Sequence, residues 1–336
     1  MAEEKPGLRD RFQINNMLIR ETLAEFIGTF IFVSFGCASI AQVVLSRGEF
    51  GTTLNINWGW GFGIALGVQW AFNISGAHLN PAISLIMGIL RVVNWKRVLL
   101  FTCAQILGAF VAAGCIYGIY LESINNLDGG KRSVLGVNAT ANIFATYPQE
   151  HVTLGGGLAD QIFGTMMLAS CILAIIDPDN YRPTKGLEPL LIGIVVFTLG
   201  NTFSFNCGGA LNPARDLGPR LFTYMVGYGR EVWTPRGIHW WWVPIVGPYL
   251  GSILGGVLYA TFVGYHIKRA PNHELYVEEE NAGSAKTEAP VSTEPSDVTF
   301  EHLGVGDSIT TIHTGTHHQN KESGIVNPVY HGNPVY

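Results

Sequence analysis

Gly76-Ala77-His78-Leu79-Asn80-Pro81-Ala82 and Gly209-Ala210-Leu211-Asn212-Pro213-Ala214-Arg215-Asp216 are the two stretches from which the rest of the chain can be laid out. Each places Asn-Pro-Ala between a small-residue loop and a short apolar run. Asn is a strong helix N-cap because its side-chain oxygen accepts an orphan backbone N–H, and Pro suits the first helical position, where no N–H is needed. The runs that follow, Ile83 to Leu90 and Leu217 to Met225, are too short to cross a bilayer, which takes about 20 residues. They are expected to be half-helices.

Composition sets the surroundings of those half-helices. The 336 residues are 48% hydrophobic and 13% charged, against about 25% charged in an ordinary soluble domain. Apolar stretches long enough to span a membrane recur at Leu23 to Val44, Ile56 to Ile74, Val98 to Leu121, Leu158 to Ile176, Leu187 to Phe205 and Trp241 to Tyr265. The expectation is six spans and two half-helices: a polar N-terminus over 1–20, a channel domain over 21–268 with halves at about 21–122 and 156–268, and a tail over 269–336.

No cleavable signal peptide is apparent before the first span, and an even number of spans puts both termini on one side. Arg91, Lys96, Arg97, Arg182, Lys185, Lys268 and Arg269 flank span ends on the N-terminal side, and Arg47, Lys131 and Arg132 lie opposite. That bias places both termini in the cytoplasm. It also makes Asn138-Ala139-Thr140 an extracellular glycosylation acceptor, while Asn73-Ile74-Ser75 falls at a span end out of reach. Cys37, Cys103, Cys115, Cys171 and Cys207 lie in or beside spans, which predicts buried free thiols and no disulfide framework.

The chain repeats itself. Span, span, Asn-Pro-Ala and span occur twice, and Ala24-Glu25-Phe26-Ile27-Gly28-Thr29 in the first span matches Asp160-Gln161-Ile162-Phe163-Gly164-Thr165 in the fourth. Three spans per half invert the second half, so the two loops enter from opposite faces and the half-helices meet near the midplane. Gly114 and Gly118, and Gly247, Gly251 and Gly255, stand at the spacing that lets helices approach closely in lipid. Glu25, an ionisable residue inside a span, reads as an acceptor for N–H groups of a loop that must be satisfied within the membrane. Gln161 can serve the same way.

Beyond Arg269 the chain carries Glu278-Glu279-Glu280 and scattered Pro, Ser, Thr and His without an apolar run, and is expected to be a disordered cytoplasmic tail. His313, His317 and His318 lack Cys or acidic partners at fixed spacing, so no metal is expected. Asn327-Pro328-Val329-Tyr330 returns as Asn333-Pro334-Val335-Tyr336. Two accounts stand side by side: a turn peptide that sorting adaptors or phosphotyrosine-binding domains accept, and a tandem duplication without function.

Two Asn-Pro-Ala half-helices in inverted halves, the second continuing into Arg215-Asp216, resemble the aquaporin family and specifically its aquaglyceroporin branch, over about Leu23 to Tyr265. Leu211 to Thr223 and Ile143-Phe144-Ala145-Thr146-Tyr147-Pro148 look like animal members of that branch. The resemblance implies an all-α polytopic membrane protein with the aquaporin fold, assembled as a homotetramer in the plasma membrane. It implies passive conduction of water, glycerol, urea and other small neutral solutes with exclusion of protons and ions. Asn80 and Asn212 would face each other at the pore centre, flanked by Pro81, Ala82, Pro213 and Ala214. Two helix N-termini, each worth about half a positive charge, would then point at one spot and repel cations. Carbonyls of Gly76, Ala77, His78, Gly208, Gly209 and Ala210 would form an acceptor ladder against an apolar wall.

The resemblance also implies a constriction made by Arg215, Trp60, Gly200 and Gly209. Trp60 lies twenty positions before Asn80 and Gly200 twelve before Asn212; water-selective relatives carry histidine at the second position. Trp60 also suits core packing. Gly209 departs from the pattern, since several glycerol channels have an apolar side chain there, and Phe203 or Phe205 is expected to fill part of the space. Asp216 reads as holding the second loop. His78 reads either as a loop brace or as a pH sensor near the pore. Active transport would need midplane carboxylates, and Glu25 has a structural account. Intramembrane catalysis would need a nucleophile beside a base, and His78 shows no evident Ser or Cys partner. A junctional protein using the same fold would not need Asn80, Asn212 and Arg215 intact. The expected partners are the solutes, membrane lipid and tail adaptors; nucleic acid and cofactors are not expected.

Overall fold

The computed structural model describes residues 12–268, and every regular element among them is helical. The tail expectations, at Asn327, Tyr330, Asn333 and Tyr336 and at the three histidines, lie outside the described residues. Among the described residues nine α-helices follow in order: α1 Met17–Leu45, α2 Thr53–Ser75, α3 Pro81–Ile89, α4 Trp95–Ile119, α5 Leu121–Asp128, α6 Leu154–Ile176, α7 Glu188–Phe203, α8 Pro213–Thr223 and α9 Val243–Tyr259.

Helices α3 and α8 are the half-helices, of 9 and 11 residues. Each starts at its own proline, earlier than the apolar runs suggest, because Asn80 and Asn212 close the first turn. The Asn80 side chain accepts from Ala82 N at 2.9 Å, and that of Asn212 from Ala214 N at 2.9 Å. Helix α8 then stops at Thr223 and passes into a single π-turn over Tyr224–Tyr228.

Among the described residues four helices are long and apolar enough to cross a membrane by length and composition: α1, α4, α6 and α9 with its extension to Gly264. The other two expected spans differ for a physical reason. Helix α2 has 23 residues but carries Asn, Gln, Trp and Gly among them, and α7 has 16. These two pack on each other and line the central cavity, so lipid does not dictate their inward faces. Helix α5 is a short amphipathic turn that the sequence pattern did not announce; it is closed by Gly129 in the left-handed region.

The packing pairs repeat. Helix α1 packs on α2 and α4, as α6 packs on α7 and α9; α4 packs on α3 and α8, as α9 packs on α8 and α3. In the α6–α9 contact a Cβ at Gly247 would stand 2.6 Å from Gln161 Cβ, one at Gly255 2.5 Å from the Met166 carbonyl, and one at Gly251 inside the Ile162 carbonyl. Those glycines are crossing points. Gly114 faces the Phe222 ring, but a Cβ at Gly118 would meet nothing within 4 Å, so Gly118 is not a packing residue within the chain. The five cysteines are free; Cys37 and Cys207 are buried, whereas Cys103 and Cys115 are exposed and Cys171 is intermediate, because they fall on the outer faces of α4 and α6.

Candidate functional site

A cavity of about 330 Å³ runs through the bundle, lined from Thr53 and Gln149 at one end to Phe72 and Ile176 at the other. Its two walls differ in chemistry. One is built from side chains at helical spacing: Trp60, Ile64, Val68 and Phe72 on α2, Leu168, Ile172 and Ile176 on α6, Ile192 and Val196 on α7. The other is built from the two loops, Gly76, Ala77, His78 and Asn80 from the first and Gly208, Gly209, Ala210, Leu211 and Asn212 from the second, with Arg215 beyond them.

The loops share one backbone. Gly76 and Gly208 have φ of 81° and 75°, Ala77 and Gly209 52° and 58°, and Leu79 and Leu211 48° and 51°. A left-handed conformation at a non-glycine residue costs about 1–2 kcal/mol, so something must hold these loops. In the first half that is Glu25, which is fully buried. Its Oε1 accepts from Ser75 Oγ at 2.6 Å and His78 N at 2.9 Å, and its Oε2 from Leu79 N at 2.7 Å and Gln105 Nε2 at 2.8 Å. In the second half Gln161 Oε1 accepts from Leu211 N at 3.0 Å. One turn along each helix, Gly28 and Gly164 leave room for the loop leucines: a Cβ at either would stand 2.6 Å from Leu79 Cδ2 or Leu211 Cδ2.

The two halves are strapped to each other at the asparagines. Asn80 Nδ2 donates to the Leu211 carbonyl at 2.9 Å, and Asn212 Nδ2 donates to the Leu79 carbonyl at 2.8 Å. A primary amide carries two N–H groups, so each asparagine keeps one donor beyond its strap. Both side chains line the cavity at the N-termini of α3 and α8, beside Pro81, Ala82, Pro213 and Ala214.

Arg215 is 4% exposed. Its Nη1 donates to the Phe144 carbonyl at 2.7 Å, and its guanidinium carbon lies 4.2 Å from the centroid of the Trp60 ring. Trp60 in turn occupies the space above Gly36, where a Cβ would overlap the indole. Gly200 does not leave an open gap: a Cβ there would stand 2.6 Å from Asn57 Oδ1. At Gly209 the neighbour is Ser204, 3.4 Å from a notional Cβ. Neither Phe203 nor Phe205 fills that space; Phe203 packs edge-on against Phe163, and Phe205 is 72% exposed beside His151.

Asp216 turns away from the second loop. Its carboxylate accepts from Thr146 N at 2.9 Å and Thr146 Oγ1 at 2.5 Å, and pairs with Arg220 at 2.7 Å. It therefore ties α8 to the connection before α6, because Arg220 one turn later supplies the charge that a buried carboxylate needs. Arg220 also donates to the carbonyls of Thr146 and Val232. His78 Nδ1 lies 3.1 Å from Ser84 Oγ, and its ring meets Phe101 edge-on at 5.4 Å. Histidine thus has a serine beside it after all. Ser84 is fully buried and takes a hydrogen bond from Gln105 Nε2 at 3.0 Å, which makes it part of the Glu25 network rather than an exposed nucleophile. Asn138 is exposed and accepts from Arg47 Nη2 at 3.1 Å.

Sequence reading passed over Asn57, Gly36, Gln105, Ser84 and Arg220. Two of them left a signal: Asn57 is three residues before Trp60 on one helical face, and Arg220 is four after Asp216, the spacing of an intrahelical ion pair. Gly36 left none, since one glycine of 41 carries no mark of what stands over it.

Two re-entrant half-helices meeting inside an inverted helical repeat, around a cavity with one polar and one apolar wall, define a membrane channel class. Residues 13–259 match the Major intrinsic protein family, and the chain belongs to it. It is 42% identical over 265 residues to aquaporin-9 of Homo sapiens, covering 79% of this chain and 90% of that protein. Against aquaporin-7 of Mus musculus it is 44% identical over 254 residues, covering 76% and 83%. The solved structure of the aquaglyceroporin from Plasmodium falciparum superposes with a TM-score of 0.66 at 29% identity, over 73% of this chain and 97% of that one.

Proposed function

We propose that this protein is a passive channel for water and small uncharged polyols such as glycerol, excluding protons and ions, with urea and other small neutral solutes in its range. The observation that carries the reading is the meeting of the asparagines: two helix N-termini aim at one point of a continuous cavity, and each asparagine keeps a spare donor there. A solute oxygen accepts from both donors. A water so held has both lone pairs engaged and cannot take a proton from its neighbour, and the positive helix ends repel cations. The loop carbonyls lead solutes in along one wall while carbon edges slide along the other. Arg215, stacked on Trp60, selects at the narrow end with the N–H groups not committed to Phe144. Proteoliposome swelling in water and glycerol gradients tests this. Flux of both supports it, and water flux without glycerol removes the polyol half.

His78 braces the first loop in this reading, because its Nδ1 is engaged by Ser84 within the Glu25 network. His78→Ala is then expected to keep whatever pH dependence the parent glycerol flux shows; a flattened profile assigns it the sensor role instead. The protein sits in the plasma membrane with both termini cytoplasmic, as the Lys/Arg bias argues, and an antibody to the tail that binds intact cells would contradict that. It is a homotetramer glycosylated at Asn138. Light scattering from a monomeric particle counts against the first statement, and an electrophoretic band unmoved by glycosidase against the second. The Asn-Pro-Val-Tyr repeats at Asn327 to Tyr330 and Asn333 to Tyr336 serve as adaptor sites; trafficking unaltered by replacing both tyrosines with alanine would leave them a duplication.

A further inference from the structure

Gly200 is the place where the polar groups of the neck do not cancel. Its own carbonyl accepts from Ser204 Oγ at 2.6 Å. Next to it, Asn201 Nδ2 donates to the Phe197 carbonyl at 2.8 Å, which turns Asn201 Oδ1 toward α2, where Asn57 Nδ2 donates to it at 3.1 Å. The orientation of the Asn57 amide is therefore set by a relay: with its nitrogen committed to Asn201, its oxygen faces the bare Cα of Gly200. Asn57 is 4% exposed and lines the cavity, one helical turn from Trp60. Among the described residues no donor is bonded to Asn57 Oδ1. An amide oxygen with a lone pair to spare beside the cavity is placed to accept a proton donor from whatever passes.

We infer that Asn57 is a selectivity residue whose Oδ1 accepts a hydrogen bond from the hydroxyl or amide N–H of a permeating solute, opposite the donors of Arg215. This rests on the channel reading above and names a determinant within it. A hydroxyl that has accepted from the Arg215 guanidinium still has its own proton to give. Arg215 lies over the Trp60 ring and Asn57 stands one turn away on the same helix face, so a polyol can lay its carbon edge on the indole while its hydroxyls face a donor and an acceptor. Water, small enough to find its partners elsewhere along the loops, depends on Asn57 less. Gly200 is needed because any Cβ there would displace the amide.

The test is swelling of proteoliposomes holding the full-length protein, with water, glycerol and 1,2-propanediol as solutes, for the parent, Asn57→Leu and Asn201→Ala. Asn57→Leu keeps the volume and removes the acceptor. It is expected to lower glycerol permeability about three- to tenfold, the factor one net hydrogen bond carries, with a smaller loss for 1,2-propanediol, which has one hydroxyl fewer, and water within about twofold. Asn201→Ala, at an exposed position, releases the amide to rotate and is expected to lower glycerol in the same order by a smaller factor. Equal losses for all three solutes, or unchanged ratios in both variants while the parent conducts glycerol, overturn the inference and leave the channel standing. A parent that conducts water but no glycerol removes the inference together with the polyol half of the channel reading.

Discussion

At the scale of single residues the neck is set by what stands next to glycine. Trp60 is held where it is because Gly36 has no side chain, so Gly36→Ala must push the indole toward the cavity or spread α1 from α2. Overpacking of this kind costs about 1–3 kcal/mol. The expected result is a fall in the glycerol-to-water permeability ratio, read by swelling; a ratio equal to the parent's in a variant that reaches the membrane contradicts the placement of Trp60. Gly209→Phe acts from the other side. Its φ of 58° charges any side chain the left-handed cost, yet Ala77 and Leu211 bear side chains at 52° and 51° in the same loops. The loop therefore tolerates the change, and larger solutes should be slowed first. Equal slowing of all solutes would place Gly209 outside the neck.

At the scale of elements, the two half-helices share geometry but not supports. Glu25 uses both carboxylate oxygens, each for two donors, whereas Gln161 offers one oxygen to Leu211 and its nitrogen to Asp160. Exchange between the acid and the amide is consequently not neutral. Glu25→Gln turns an N–H group onto Leu79 N or Gln105 Nε2, and the unmet buried donor should lower stability by about 1–3 kcal/mol; an unshifted thermal unfolding midpoint in detergent would show that the amide suffices. The second half is steadied instead by Arg220. Its pair with Asp216 is fully buried at both ends, so Arg220→Met strands a carboxylate and should cost about 3–5 kcal/mol. Combining it with Asp216→Asn should recover part of that loss. A double variant no more stable than the single one would argue that Arg220 acts through the Val232 and Thr146 carbonyls alone.

At the scale of the whole molecule, the inverted repeat brings matched parts of the two halves together at one point and leaves the rest free to differ. The asparagine straps join the halves at their common centre, where the repeat makes both contributions alike; Arg215, Trp60, Gly200 and Gly209 lie off that centre, where the halves are free to differ. Replacing Asn80 or Asn212 by Ala should therefore cost stability and flux together, since each removes a cap, a strap and a pore donor; a flux defect without any fall in unfolding temperature would separate those roles. The two half-helices, the repeated helix order with its inversion and the loop asparagines were legible in the sequence, because they follow from local quantities: apolar run length, N-cap chemistry and self-similarity; the short helix α5 was not. Helix α7 stands near its expected bounds at 16 residues, packing on α2 with one face and leaving Leu190 and Ile194 exposed on another. What stands within reach of a bare Cα was decided only by tertiary structure: Asn57 at Gly200, Trp60 at Gly36, Ser204 at Gly209 and the two leucines at Gly28 and Gly164. A glycine specifies the absence of a side chain, and absence has no partner until helices distant in the chain are brought together.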